Sequence, residues 1–410
     1  MKNRASAVLF MAVLVDMIGF GIVIPVLPFY ATSFGASPLV VTALFAAYSA
    51  MQMIATPVWG RVSDQHGRRP LLVAGLFASA VSHLIFGLAG SLWLLFISRL
   101  AAGAAGGTIS VAHAYIADTT TAEDRAHHMG LVGAAAGLGV MIGPAIGGFV
   151  SQWGLGLPGF VAAGLSALNG LAAWALLAES RPRKAGPHKR SGQAATLEGW
   201  FRTMTSQPIS LMMVVYFLAI SSFTGMTALL ALYTEAEFGM NARDMGIVFS
   251  IAGGATVVVR GVLLGRLVKR FGERAVMKLG AAGLFLSLII MPILPSGLWV
   301  GIVIVLYAFG AGTLFPTLAT LVSFATDAES QGAVLGGSQV VGGLGRVTGP
   351  IWYGALFQDF GHDSPFIVGA VLVATSFLLA GKIPARLRPN RTADAAKIRE
   401  AVEEQTLAPD

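Results

Sequence analysis

Cysteine is absent from all 410 residues, which excludes disulfides, thiolate metal sites and cysteine nucleophiles. Charge is scarce as well: Asp, Glu, Lys and Arg make up 11% of the chain, against about a quarter in a soluble protein. That supply cannot clothe a water-facing surface of this length. With 55% hydrophobic residues and a mean hydropathy of +0.74, the composition is that of a membrane protein. The apolar–polar alternation of a transmembrane β-barrel is missing too, because the apolar runs are continuous, as in helices that satisfy their own backbone in lipid. No G-x-x-x-x-G-K-[ST] stretch and no H-E-x-x-H pair occurs, so neither a bound nucleotide nor a zinc ion is expected.

What is present is a series of apolar runs, each near the ~20 helical residues that cross a bilayer. Six lie near 5–29, 38–59, 71–89, 92–116, 128–152 and 158–178. Six more lie near 208–234, 244–265, 276–294, 297–323, 333–358 and 364–382. Lys2 and Arg4 before the first run imitate a signal peptide, but the run is too long and carries Asp16 at its middle, so it is expected to be a retained helix. An even number of spans places both termini on one side. Terminus-side segments hold 23 of the 27 Lys and Arg residues, which predicts cytoplasmic termini by the positive-inside rule. The net charge of +7 is therefore a topology signal, and no nucleic-acid partner is expected.

The charged stretch "GRVSDQHGRRP" (60–70) has a partner half a chain later in "GRLVKRFGERA" (265–275): Gly60, Arg61, Gly67 and Arg69 recur as Gly265, Arg266, Gly272 and Arg274. "GLGVMIGPAIGG" (137–148) likewise recurs as "GLGRVTGPIWYG" (343–354). Parallel repeats of this kind imply two bundles with substrate between them near mid-membrane. The expected organisation is an N-terminal six-helix bundle (1–178), a cytoplasmic linker (179–207), a C-terminal six-helix bundle (208–382) and a cytoplasmic tail (383–410). "LEGWFRTM" (197–204) in the linker and "DAAKIREAVEEQ" in the tail read as further helices, the first of them interfacial.

Four motifs resemble the major facilitator superfamily, and within it the twelve-span drug:proton antiporters of the tetracycline-efflux type. They are "LVDMIGFGIVIPVLP" (14–28), "GRVSDQHGRR" (60–69), "ISRLAAGAAGG" (97–107) and "GPAIGG" (143–148). The resemblance implies an all-α membrane protein with the major facilitator fold, twelve transmembrane helices in two pseudo-symmetric six-helix bundles. It also implies that the Asp64 carboxylate faces the N-terminal end of the eleventh helix, around Gly332–Gly337, and latches the bundles in the outward-facing state. A helix N-terminus favours an anion. In the second copy Lys269 stands where Asp64 would fall, so no equal latch is expected there. Gly60 is expected to let a neighbouring helix approach, Gly67 to turn the chain, and Arg68 and Arg69 to stay at the interface.

Asp16 is the only one of 20 carboxylates deep in a span. A low-dielectric setting disfavours the charged form of a carboxylate, so such a group can exchange protons near neutrality. Asp16 with Arg99 of the fourth span is therefore the proton-coupling candidate; a static ion pair or a bond to helix backbone is the plainer alternative. Gly139, Gly143, Pro144, Gly147 and Gly148 form the antiporter motif. No strand precedes this glycine run, so it is no nucleotide loop. It reads as a packing and bending element away from substrate.

Candidates for the substrate cavity are Gln52, His83, His113, Asn169, Arg260 and Arg346, with Phe45, Tyr48, Phe223, Phe249, Phe309 and Phe315 as aromatic walls or ordinary packing. Arg260 and Arg346 could meet substrate carboxylates or phosphates, or could snorkel and pack. His127 and His128 are expected at the interface. Tetracycline carriers have an acidic residue in the third span, a His in the eighth and an acidic residue in the ninth. Here Ser82 and Thr256 occupy the first two positions and 276–294 has no carboxylate, which argues against tetracycline itself. The expectation is a transporter, not an enzyme. It would export drugs or other small amphipathic molecules from the bacterial cytoplasm across the inner membrane, working as a monomer in the lipid bilayer. It would use no cofactor, with the proton gradient as its energy source. A proton-coupled importer of a metabolite and a lipid or glycolipid translocase are alternatives on the same fold.

Overall fold

The computed structural model describes residues 2–180, 204–326 and 331–384. The expected interfacial helix (197–204) and the tail beyond 384 lie almost wholly outside these residues. Among the described residues there is no strand, and helices occupy all twelve expected places. They are α1 (Lys2–Val23), α2 (Pro38–His66), α3 (Arg68–Gly87), α4 (Leu92–Thr119), α5 (Ala122–Val150) and α6 (Leu157–Leu176). The second six are α7 (Ile209–Phe238), α8 (Ala242–Phe271), α9 (Glu273–Ile290), α10 (Val300–Phe324), α11 (Gln331–Phe360) and α12 (Ser364–Ala380). Ten of these are long and apolar enough to cross a membrane. Of the other two, α12 has 17 residues, and α11 has 30, of which eight are glycine. Large apolar side chains such as Trp93, Trp174, Leu298 and Leu378 are exposed on the outside, as a lipid-facing surface requires.

The halves pack alike. In the first, α1 lies on α5 and α6, α3 on α6, and α2 on α4; in the second, α7 lies on α11 and α12, α9 on α12, and α8 on α10. Between bundles the main contacts are α2 with α11 and α5 with α8, and α2 also touches α7.

α2 and α8 run on to His66 and Phe271, past the ends at 59 and 265 that hydropathy suggested. A hydropathy reading stops where the apolar run stops, whereas the helical hydrogen bonds continue through the charged turns. The "loop" of each motif is thus the last turns of a helix plus one glycine, Gly67 (φ +96°) or Gly272 (φ +79°), from which the next helix starts at once. Both glycines adopt the positive φ that only glycine takes without strain.

Two helices are interrupted. α4 breaks between Ala105 and Thr108, where Gly107 leaves no room for a Cβ against the Trp59 ring and Gly106 crowds Gln52. Trp59 Nε1 donates to the Ala104 carbonyl there at 2.6 Å, taking up an acceptor that the break frees. α8 contains a single π turn, Val259–Leu263, which carries Arg260.

Among the described residues, the close glycine contacts between the bundles lie over the half of the molecule away from the motif turns. There Gly354 sits on Leu39 and Thr42, Gly343 on Met53, Gly148 on Ala242 and Gly246, and Gly253 on Met141. At the other end Gly60, Gly130, Gly133, Gly265 and Gly336 have nothing within 4 Å of a Cβ position. The space between the bundles therefore opens toward the end that carries the motif turns and the start of α1.

A candidate transport cavity between the bundles

A cavity of about 380 Å³ lies at the junction. α1 contributes Met17 and Phe20, α2 contributes Phe45, Tyr48 and Gln52, and α4 contributes Arg99; from the second bundle come Phe223, Thr224 and Thr227 of α7 and Arg346 of α11. Gln52 Nε2 donates to the Tyr48 hydroxyl at 3.0 Å, and the Tyr48 ring lies 5.1 Å from that of Phe20. A second space of about 380 Å³ adjoins it between α5, α7, α8 and α10. Phe249, Thr256, Arg260 and Tyr307 line it, as does Pro144, so one member of the antiporter motif does reach a cavity wall. Volumes of a few hundred Å³ with mostly apolar walls and a few polar groups suit a small organic ligand.

Asp16 lies behind that wall. Its side chain is buried and bonded to Ser79 of α3. One turn along α3, His83 lies 3.3 Å from Ser166 Oγ, and Asn169 Nδ2 donates to the Ala12 carbonyl at 2.8 Å. Asp16, His83 and Asn169 thus form polar contacts among α1, α3 and α6, and none of the three lines the cavity between the bundles. His83 and Asn169, expected as cavity candidates, thus face the inside of the first bundle: a single helix carries both wall-facing and bundle-facing residues, which position along the chain alone does not separate. His113 also lies off both walls. Phe315 lines a separate pocket between α7, α10 and α11, and Phe309 packs toward Gly283.

Arg99 and Asp16 make no ion pair; those among the described residues are Arg68–Asp64, Arg68–Asp118 and His362–Glu237. Arg99 is buried at 4% exposure, with its guanidinium carbon 5.0 Å from the Phe86 ring centre. Its Nε lies 3.3 Å from Ser98 Oγ and its Nη2 has no partner.

The antiporter motif performs two packing jobs. Gly139, Gly143 and Gly147 lie against the α1 backbone at Leu14, Ile18 and Ile22, the segment that holds Asp16, and the Pro144 ring meets Gly21. Gly148 points the other way, at Ala242 and Gly246 of α8 in the other bundle. The second copy repeats this: Gly345 and Gly349 pack on α7 at Ile220 and Ser221, and Gly354 packs on α2.

At the motif turn, Arg68 is buried at 6% exposure. Its guanidinium binds Asp64 (2.7 Å), Asp118 (2.9 Å) and Ser63 Oγ (2.6 Å). Glu179, just past α6, accepts from the backbone N–H groups of Arg68 (2.9 Å) and Arg69 (3.3 Å), the open first turn of α3. Arg69 donates to the Trp174 carbonyl, and Arg274 in the second half donates to the matching Gly381 carbonyl. Asp64 is exposed and faces Arg68 here, and Gly60 faces open space, because α2 and α11 have parted at this end. Asp118 and Glu179 were not anticipated. Their signal is two acids standing at terminus-side helix ends among an excess of arginines.

Residues 9–350 match the family model described as Major Facilitator Superfamily. The class C tetracycline resistance protein of Escherichia coli is 31% identical over 378 residues, which cover 90% of this chain and 95% of that protein. Multidrug resistance protein 1 of Bacillus subtilis is 30% identical over 392 residues, 94% and 98% of the two chains. The human organic anion transporter MFSD10 (TETRAN) has the same fold, with a TM-score of 0.68 at 23% identity over 92% of this chain and 99% of that one. Two six-helix bundles around a ligand-sized cavity, together with these matches, make the chain an integral membrane transporter, not an enzyme, and a member of the Major Facilitator Superfamily.

Proposed function

We propose that this transporter exports small amphipathic molecules, drugs among them, in exchange for protons. The observation that carries this reading is the burial of Asp16 on the side of α1 bonded to Ser79 of α3, while the opposite side of α1 lies on the glycines of α5. A carboxylate buried without a cation is a group that gains by taking up a proton. Because α5 also forms the contact with α8 through Gly148, a change at Asp16 has a mechanical route to the interface between bundles. The proton then acts by selecting a bundle arrangement, not by displacing substrate from the wall. Relatives at 30–31% identity that are named as tetracycline and multidrug resistance proteins support the reading of drugs as substrates.

Placing the basic end in the cytoplasm makes this arrangement inward-facing, ready to load from inside. Rocking of the bundles would close that end, bring Asp64 to the start of α11 and open the far side. Protonation of Asp16 from outside would accompany release, and loss of the proton inward would reset the carrier. The proton gradient supplies the energy, and the inner-membrane protein works as a monomer.

The test is efflux from cells expressing the wild type or Asp16→Asn, with and without a protonophore. Uphill export that collapses with either change is expected. Energy-dependent accumulation instead of export would reverse the direction, and uphill pumping by Asp16→Asn would remove the proton from that residue.

A further inference from the structure

The two spaces between the bundles run together, sharing Ile24, Val140, Phe223 and Thr227 in their walls. Three charged side chains line the combined space, Arg99, Arg346 and Arg260, and no carboxylate does. Arg99 is nine-tenths buried and more, and its Nη2 has no hydrogen-bond partner. Arg346 takes part in no ion pair among the described residues. Asp16, the one carboxylate deep in a span, is turned to Ser79. Arg99, held out of water, needs an anion or a full set of acceptors, while Arg346 is half-buried and Arg260 exposed. The Phe86 face under Arg99 supplies part of that need, and no charged group in these walls supplies the rest.

We infer that the transported substrate is an amphipathic organic anion. Its carboxylate, sulfonate or phosphate sits between Arg99 of the first bundle and Arg346 of the second. The planar, always charged fork of arginine suits such groups better than any other side chain. The apolar body lies against Phe20, Phe45 and Phe223. Arg260, in the π turn of α8, lines the adjoining space and raises the local concentration of anions on their way in. Since one guanidinium comes from each bundle, the anion is held by both moving parts at once. The inference rests on the reading of this cavity as the transport site, and the large open mouth at one end favours a ligand taken from water.

The experiment uses the full chain in detergent and two dyes that share a xanthene body, anionic fluorescein and cationic rhodamine 123, read by fluorescence anisotropy. Wild type is expected to bind fluorescein at least about tenfold more tightly than rhodamine. Arg346→Gln should weaken fluorescein binding by about tenfold or more and leave rhodamine unchanged, while Arg346→Lys keeps part of the preference. Arg99→Gln, checked for helicity by circular dichroism, should act in the same direction. Equal or tighter binding of rhodamine by the wild type overturns the inference, as does an equal loss for both dyes in Arg346→Gln. Displacement of fluorescein by dihexanoyl phosphatidylglycerol but not by benzenesulfonate overturns a soluble anion in favour of a lipid. In proteoliposomes with an imposed pH gradient, failure to move fluorescein with the binding preference intact would refute proton-driven export and still support the anion site.

Discussion

Asp16, Arg68 and Arg99 are buried for different purposes. Arg68 is saturated: two carboxylates and a hydroxyl take up its donors, so it is a structural tie between the ends of α2, α3 and α4. Arg68→Gln should lower thermal stability in detergent by the ~1.5–3 kcal/mol of a charged hydrogen bond for each one lost. Asp118→Asn should cost less, because Asp118 is partly exposed and Asp64 still neutralises the arginine. Equal melting temperatures for wild type and Arg68→Gln would show the cluster to be incidental. Asp16 differs in having a hydroxyl partner and no cation. Since it stands behind the cavity wall, Asp16→Asn is expected to abolish uphill transport yet keep substrate affinity within about twofold, which is ~0.4 kcal/mol. A tenfold change in affinity would mean that the proton and substrate meet directly.

Among the elements, α5 is the one on which both jobs converge. Its glycines at 139, 143 and 147 let it lie on α1, and Gly148 lets it lie on α8. A Cβ at Gly148 would come within 2.8 Å of the Ala242 carbonyl oxygen and the Gly246 Cα, backbone atoms that cannot step aside. Gly148→Ala should therefore pry the far ends apart and shift the carrier toward the outward-open arrangement, whereas Gly130→Ala, with open space around it, should change nothing. The chain has no cysteine, so single introduced cysteines report cleanly. Accessibility of a cysteine at Phe45 or Thr227 to an impermeant thiol reagent from outside should rise in Gly148→Ala alone. The π turn in α8 and the break in α4 show why hydropathy cannot find such features: an apolar helix with a defect is as apolar as one without.

For the whole molecule, the arrangement seen is one of two that the repeat permits. Spin labels at Gly60 and Gly336, positions facing open space here, should be far apart in this arrangement and approach one another in the opposite one. Asp64→Asn is expected to reduce the population of the close pair, since in the proposed latch it removes the anion from the start of α11. No shift in the distance distribution would dismiss the latch.

The sequence by itself determined the class of the molecule. The poverty of charge, the length of the apolar runs and the repeat at 60–70 and 265–275 leave a twelve-helix membrane protein in two similar halves, because lipid admits few other solutions for a backbone. It also singled out Asp16 and Arg99, since a charge inside an apolar run is visible without a structure. Only the tertiary structure decided which polar residues face the cavity and which face a neighbouring helix, because that depends on rotation about each helix axis. It is what separates Gln52 and Arg346 on the wall from His83 and Asn169 inside the bundle. It likewise decided that Arg68 is satisfied and Arg99 is not, for their partners come from helices distant in the chain: Asp118 lies 50 residues from Arg68. Charge in the sequence counts cations, and packing alone tells which of them still has a free hydrogen bond to give.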